Sequence, residues 1–244
     1  MHPNTPRFVL TAARFQLGLA LVLVFVFFMH GLAMIVAHGL GYPVAKGFVP
    51  LFHIDFEHNL PTLVALLLLL GCALTSARAS ARETVRTVHR RAWALVSCLF
   101  LFLAADEAFS FHEQLSGFAH DRFADVSLPL FAWIIPYGAG VLVLGGILLR
   151  WFLELEASLR ARLFLSGAIF LSGAIGLEFI SSGYYESLPP DRDVYRTLGV
   201  DLLATAEEAC EFAGLSLFLN TMVRHLGGVS FRTPHLPVVA AARR

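Results

Sequence analysis

Charge is what this sequence has least of. Asp, Glu, Lys and Arg make up 15% of its 244 residues, against about 25% in a soluble domain that must solvate its own surface. Lys46 is the lone lysine, and the formal net charge is zero. That balance gives no global attraction to nucleic acid or to anionic substrates. Cysteine is scarce too. Cys72, Cys98 and Cys210 all fall inside apolar runs with no C-x-x-C pair, so they read as small buried hydrophobes and not as a disulfide framework. Strong catalytic signatures are missing as well. His112-Glu113 lacks the second His of a zincin, and Glu208-x-x-Glu211 is only half of a di-iron pattern. Neither a P-loop nor a G-x-S-x-G elbow occurs.

What fills the space is hydrocarbon. Apolar types reach 57% and the mean hydropathy is +0.70, which a bilayer solvates and water does not. Runs of roughly 20 apolar residues predict six membrane helices: Phe15–Ala37, Pro61–Arg78, Ala92–Phe118, Leu128–Leu149, Leu163–Tyr184 and Thr197–Val223. The first run continues from Arg14 to about Leu40, too long for a cleaved signal's apolar core of roughly 7–15 residues. The fold class expected is an all-α polytopic transmembrane helix bundle, one integral membrane domain over residues 1–244. Pro136 is expected to kink the fourth span.

The basic residues divide fourteen to four across the expected membrane. Arg7, Arg14, Arg78, Arg82, Arg86, Arg90, Arg91, Arg150, Arg160, Arg162, Arg224, Arg232, Arg243 and Arg244 share one side. Lys46, Arg122, Arg192 and Arg196 take the other. The positive-inside rule then places both termini in the cytoplasm of a multi-pass plasma (inner) membrane protein, with Trp93 and Trp151 at the inner interface. The partner so implied is the lipid bilayer.

Against that background eight acids stand inside predicted spans: Asp106, Glu107, Glu113, Glu178, Asp201, Glu207, Glu208 and Glu211. Each costs at least about 2.5–3.5 kcal/mol at the bilayer centre, and no Lys or Arg shares the span interiors. At about 1.5 Å per residue, Asp106 and Glu178 stand roughly 20 Å above the inner boundary, near His30 of the first span. Asp106 and Glu113 share a face across Ser110, and Glu207, Glu208 and Glu211 fall within an arc of about 100°. Ala168, Ser172 and Gly176 form a small-residue stripe that ends beside Glu178 and suits close packing. The acids are therefore expected to be protonated, hydrated in a cavity, or neutralised by a bound cation. His30 and His112 beside carboxylates suit a divalent transition metal: zinc, iron, manganese or copper. The site candidates are Asp106, Glu107, His112, Glu113, Glu178, Glu207, Glu208, Glu211 and His30.

Residues 49–60 alternate as a short amphipathic interfacial helix, with Phe52, Phe56 and Leu60 on one face and His53 and Glu57 as a polar pair. It would supply His53, Asp55, Glu57 and His58 as cap contributors. The stretches LFHIDFEHNLPT and DEAFSFHEQL resemble a group of bacterial polytopic membrane proteins of unassigned function. The resemblance rests on Phe52, Asp55, Glu57, Asn59, Pro61 and Thr62, then on Asp106, Glu107, His112 and Glu113. It implies that these positions form a unit, and it brings no activity with it.

Three functions fit: a metal or cation site supporting chemistry on a lipid-phase or periplasmic substrate, a proton- or cation-coupled transporter, and a structural subunit with a hydrogen-bonded acidic network. Below the acids the spans read apolar, as in Leu99–Leu103, Leu163–Ile169 and Ala213–Leu219. A one-sided pocket favours the first. Reporter fusions at Arg86 and Arg160 are expected to give cytoplasmic signals, and an external signal at Arg86 reverses the orientation.

Overall fold

The computed structural model describes residues 7–82, 86–123, 128–189 and 197–232. Asp125, Asp191, Asp193, Arg192, Arg196, Arg243 and Arg244 lie outside them. The described chain is helical apart from loops and one two-stranded antiparallel pairing, β1 (Arg7–Leu10) with β2 (Val229–Arg232), which joins its two ends. The helices are α1 (Ala12–Met34), α2 (Phe48–Phe52), α3 (Leu60–Arg82), α4 (Thr87–Phe109), α5 (Phe111–Arg122), α6 (Ile134–Glu154), α7 (Ala157–Leu171), α8 (Glu178–Ser187) and α9 (Leu198–His225). α1 runs on through a π-helical turn at Ile35–Gly39, and a second π turn, Ser172–Leu177, joins α7 to α8. Five segments are long and apolar enough to cross a membrane: Ala12–Gly39, α3, α4, α6 and Ala157–Ser187.

Lipid tails solvate leucine as well as another helix does, so helices associate here through close packing and hydrogen bonds. α9 is the hub. Its Phe212, Leu215, Phe218, Leu219 and Met222 are buried against α3, α4 and α7. α7 comes closest: a Cβ on Gly214 would lie 2.7 Å from the Phe170 backbone nitrogen, and one on Gly173 would lie 2.6 Å from the Glu207 carbonyl oxygen. Ser166 donates to the Gly214 carbonyl at 3.1 Å within this contact. α3 and α4 form the other tight pair, with Ser97 donating to the Ala73 carbonyl at 2.9 Å.

Several local expectations change. The stripe Ala168–Ser172–Gly176 is exposed, and the close approach runs through Ser166, Phe170 and Gly173 on the neighbouring face. Pro136 produces no kink: it is the third residue of α6, where its missing N–H has no helical carbonyl to meet. Trp93 and Trp151 are buried edge to face with centroids 4.9 Å apart, so they pack against each other inside the bundle.

The span expected at Ala92–Phe118 breaks at Ser110, whose φ of 49° is left-handed. The Asp106 carboxylate captures the His112 N–H at 2.9 Å and so begins α5, a side-chain alternative to continued helix. The interfacial helix is also shorter than expected, ending at Phe52. Asn59 donates to the carbonyls of Pro50 and His53 at 3.2 and 2.6 Å, while its oxygen accepts from the Thr62 N–H at 3.1 Å. One side chain thus folds 53–59 into a loop and caps α3, with Pro61 in the first turn where it is tolerated.

The close α7–α9 contact gives a direct test. Gly214→Leu is expected to lower the melting temperature of the detergent-solubilised protein, by about 1–3 kcal/mol of overpacking. Gly145→Ala on α6 meets nothing within 4 Å and is expected to be neutral or to gain up to about 1 kcal/mol of helix propensity.

Candidate metal centre

A cavity of about 1330 Å³ lies among α4, α6, α7, α8 and α9, and the 53–59 loop adds Ile54, Asp55, Phe56 and Glu57 to its wall. Its lining changes character along its length. At one end stand Asp55, Glu57, Asp106, Glu107, His112, Glu113, Glu178, Glu207, Glu208 and Glu211, and none of the described lining residues is Lys or Arg. At the other end are apolar side chains such as Leu95, Leu99, Leu144, Leu148 and Phe218. The acids of α4, α8 and α9 therefore face a shared interior, the arrangement in which membranes tolerate them.

Asp106 organises the acidic end. Its Oδ1 accepts from the His112 backbone N–H at 2.9 Å and from the Tyr137 hydroxyl at 3.0 Å. Its Oδ2 lies 3.2 Å from His112 Nδ1. An ionised carboxylate only accepts, so Nδ1 carries the proton, and in the neutral ring Nε2 keeps its lone pair. This is the carboxylate–histidine pairing that orients imidazole toward a metal. Glu57, His112 and Glu113 each offer one ligand atom, and these atoms lie within 4.8 Å of one another. To hold an ion, such a set would have to close to metal–ligand distances of about 2.0–2.2 Å. Trp133 packs edge-on to His112 with centroids 5.2 Å apart and donates its indole N–H to Glu178 at 3.3 Å.

A second set joins the loop to α9. His53, Asp55 and Asp201 also present ligand atoms within 4.8 Å of one another. Asp201 Oδ2 is 2.5 Å from His38 Nε2 and 3.3 Å from His53 Nε2. Asp201 and His53 are buried and only Asp55 reaches the cavity wall. His53 Nδ1 has no hydrogen-bond partner among the described residues. Burial lifts the Asp55 carboxyl to about 6, Asp201, Glu178 and Glu113 push the same way, and His53 opposes. Asp55 keeps an exposed surface along the cavity wall while neighbouring protein crowds its carboxyl. Burial also raises Glu57 above the ordinary carboxylate range. Both groups stand ionised only at a cost that a cation beside them would offset.

His30 lies away from the wall. Its Nδ1 accepts from the Ile54 N–H at 3.1 Å and its Nε2 faces the Thr205 hydroxyl at 2.9 Å, which occupies both nitrogens and pins the loop to α9. His58 is exposed, at a left-handed φ of 57°. Sequence reasoning missed His38, Trp133 and Tyr137, and left Asp201 out of the candidate set. The π turn that turns His38 toward Asp201 leaves no periodic mark in the sequence. Trp133 and Tyr137 stand in an apolar run without charge to mark them, and the break at Ser110 carries His112 to Trp133.

Residues 16–226 match the family described as Domain of unknown function (DUF8692). The chain belongs to that family. No curated protein and no solved structure matches it. In this DUF8692 protein the two stretches noted in the sequence meet in space, Glu57 from one and His112 and Glu113 from the other forming a single ligand set.

Tyr137→Phe in the DUF8692 protein removes one charge-assisted hydrogen bond to Asp106 and nothing else of the ring. It is expected to lower stability by about 1.5–3 kcal/mol, read as a drop in melting temperature. An unchanged melt would show that Tyr137 does not hold α6 to Asp106.

Proposed function

We propose that this protein is a plasma-membrane metalloprotein whose Glu57, His112 and Glu113 hold a divalent transition ion at the acidic end of the cavity, supporting chemistry on a lipid-phase or external substrate. In this reading α9 is a sixth span, its acids turned to the cavity, and both termini are cytoplasmic. The asymmetry of basic residues and the β1–β2 pairing, which brings the two ends of the described chain together, support that orientation.

The observation that carries the proposal is that His112, bonded through Nδ1 to Asp106, has a ring nitrogen within 4.8 Å of a carboxylate oxygen of both Glu57 and Glu113. All three proposed ligands line the cavity, as a working centre with an open coordination position requires. The chemistry available from such an ion is polarisation of a bound oxygen and activation of water near neutral pH. Glu107 and Glu208 line the same wall and are suited to take the proton as general base. The His38–Asp201–His53 set is closed off from the cavity except at Asp55. It clamps the loop that carries Glu57. Coupled transport fits less well, because the wall beyond Glu211 continues through Gly214, Leu215 and Phe218 with no further carboxylate.

Elemental analysis of protein grown with ample transition metals is expected to find roughly one bound ion per chain. Glu57→Gln and His112→Ala lose it. Asp201→Asn lowers the melting temperature but keeps the ion. A chelator destabilises wild type, since a ligand of the folded state alone adds to its stability. Metal-free wild type that melts unchanged with chelator overturns the proposal.

A further inference from the structure

The apolar end of the cavity is too large and too dry to be a by-product of the acidic end. We infer that it binds a lipid, with one hydrocarbon chain lying along α6 and an uncharged hydroxyl or amide head among the carboxyl groups. The head's position rests on the proposed metal site, and the chain's does not.

α6 supplies the first argument. Tyr137, Val141, Leu144 and Leu148 lie at helical spacing and all line the cavity. The helix is held at its two ends. Tyr137 bonds Asp106 near one, and at the other Trp151 packs on Trp93 while Glu154 pairs with Arg86 and His89 on α4. Between these anchors, from Tyr137 to Leu148, no residue of α6 is buried. From Tyr137 to Leu148 the stripe runs about 16 Å, the depth of one leaflet of a ~30 Å hydrocarbon core.

Volume and polarity supply the second. A ligand pocket usually measures about 300–1,000 Å³, and this one holds about 1330 Å³. Water in the apolar end would find too few hydrogen-bond partners to remain. A hydrocarbon chain fits that environment, and the surrounding bilayer supplies it.

The acidic end selects the head. Nine carboxyl groups line it, with no Lys or Arg among the described lining residues, and a divalent ion offsets only part of that excess. A phosphate head would be repelled, whereas a hydroxyl or amide donates to carboxylates.

The test uses the full chain in detergent with a doxyl-labelled monoacylglycerol, followed by the immobilised component of its spin-label spectrum. Saturable immobilisation is expected, with the same labelled chain on a phosphate head binding about tenfold more weakly or worse. Leu144→Trp is expected to weaken binding about tenfold while metal content stays at the wild-type level. Should that variant fold poorly, Gly140→Leu fills the same wall, since a Cβ there meets nothing within 4 Å. Glu57→Gln separates the two ideas, losing metal while still immobilising the chain. Immobilisation that never saturates, or that survives both filling substitutions, overturns the inference. Equal binding of the phosphate-headed probe overturns the assignment of the head.

Discussion

The carboxylate of Asp106 is the constraint on which the rest of the site depends. It takes up the backbone N–H of His112, the second residue of α5, the imidazole N–H of the same residue and the hydroxyl of Tyr137. The first bond breaks the helix at Ser110, the second fixes which nitrogen of His112 is free, and the third secures one end of α6. Charge-assisted bonds of this kind contribute roughly 1.5–3 kcal/mol each, so one buried acid ties together three elements. Without the break, His112 would sit on a continuing helix, six residues beyond Asp106 and well round the axis from it.

The bundle has a dense side and an open side, and the acids stand at the boundary. α3, α4, α7 and α9 pack through serines and glycines that let backbones touch, as at Gly173 and Gly214. α6 does not join that packing between its ends. Because the dense side carries the stability, the open side can be shaped by what it binds. The loop 53–59 belongs to both sides, since His53 and His30 tie it to α9 while Glu57 reaches the cavity.

Hydropathy made five membrane helices legible, because a run of twenty apolar residues has few other physical meanings. The acids within the apolar runs pointed to an interior cavity, and Asp106, Glu178, Glu208 and His112 do line a single one. Helical periodicity was less reliable where backbone geometry departs from 3.6 residues per turn. The π turn at Ile35–Gly39 holds His38 and so hid its facing, while the small-residue stripe is exposed from its first member, Ala168 on α7. The break at Ser110 and the loop built by Asn59 depend on side chains capturing particular backbone groups. Such captures leave no periodic signal, so residues were legible as a group before their partners were.

α6 has one more consequence. A helix fixed at both ends and unsupported between them behaves as a beam under the load of its solvent, and that solvent is lipid. Lateral pressure is not uniform with depth, and hydrocarbon thickness differs between membranes by several ångströms. A bowed or straightened α6 would narrow or widen the slot behind Leu144 with no change in the α7–α9 packing. The width of the slot is thus set jointly by the protein and by the mechanics of the bilayer around it.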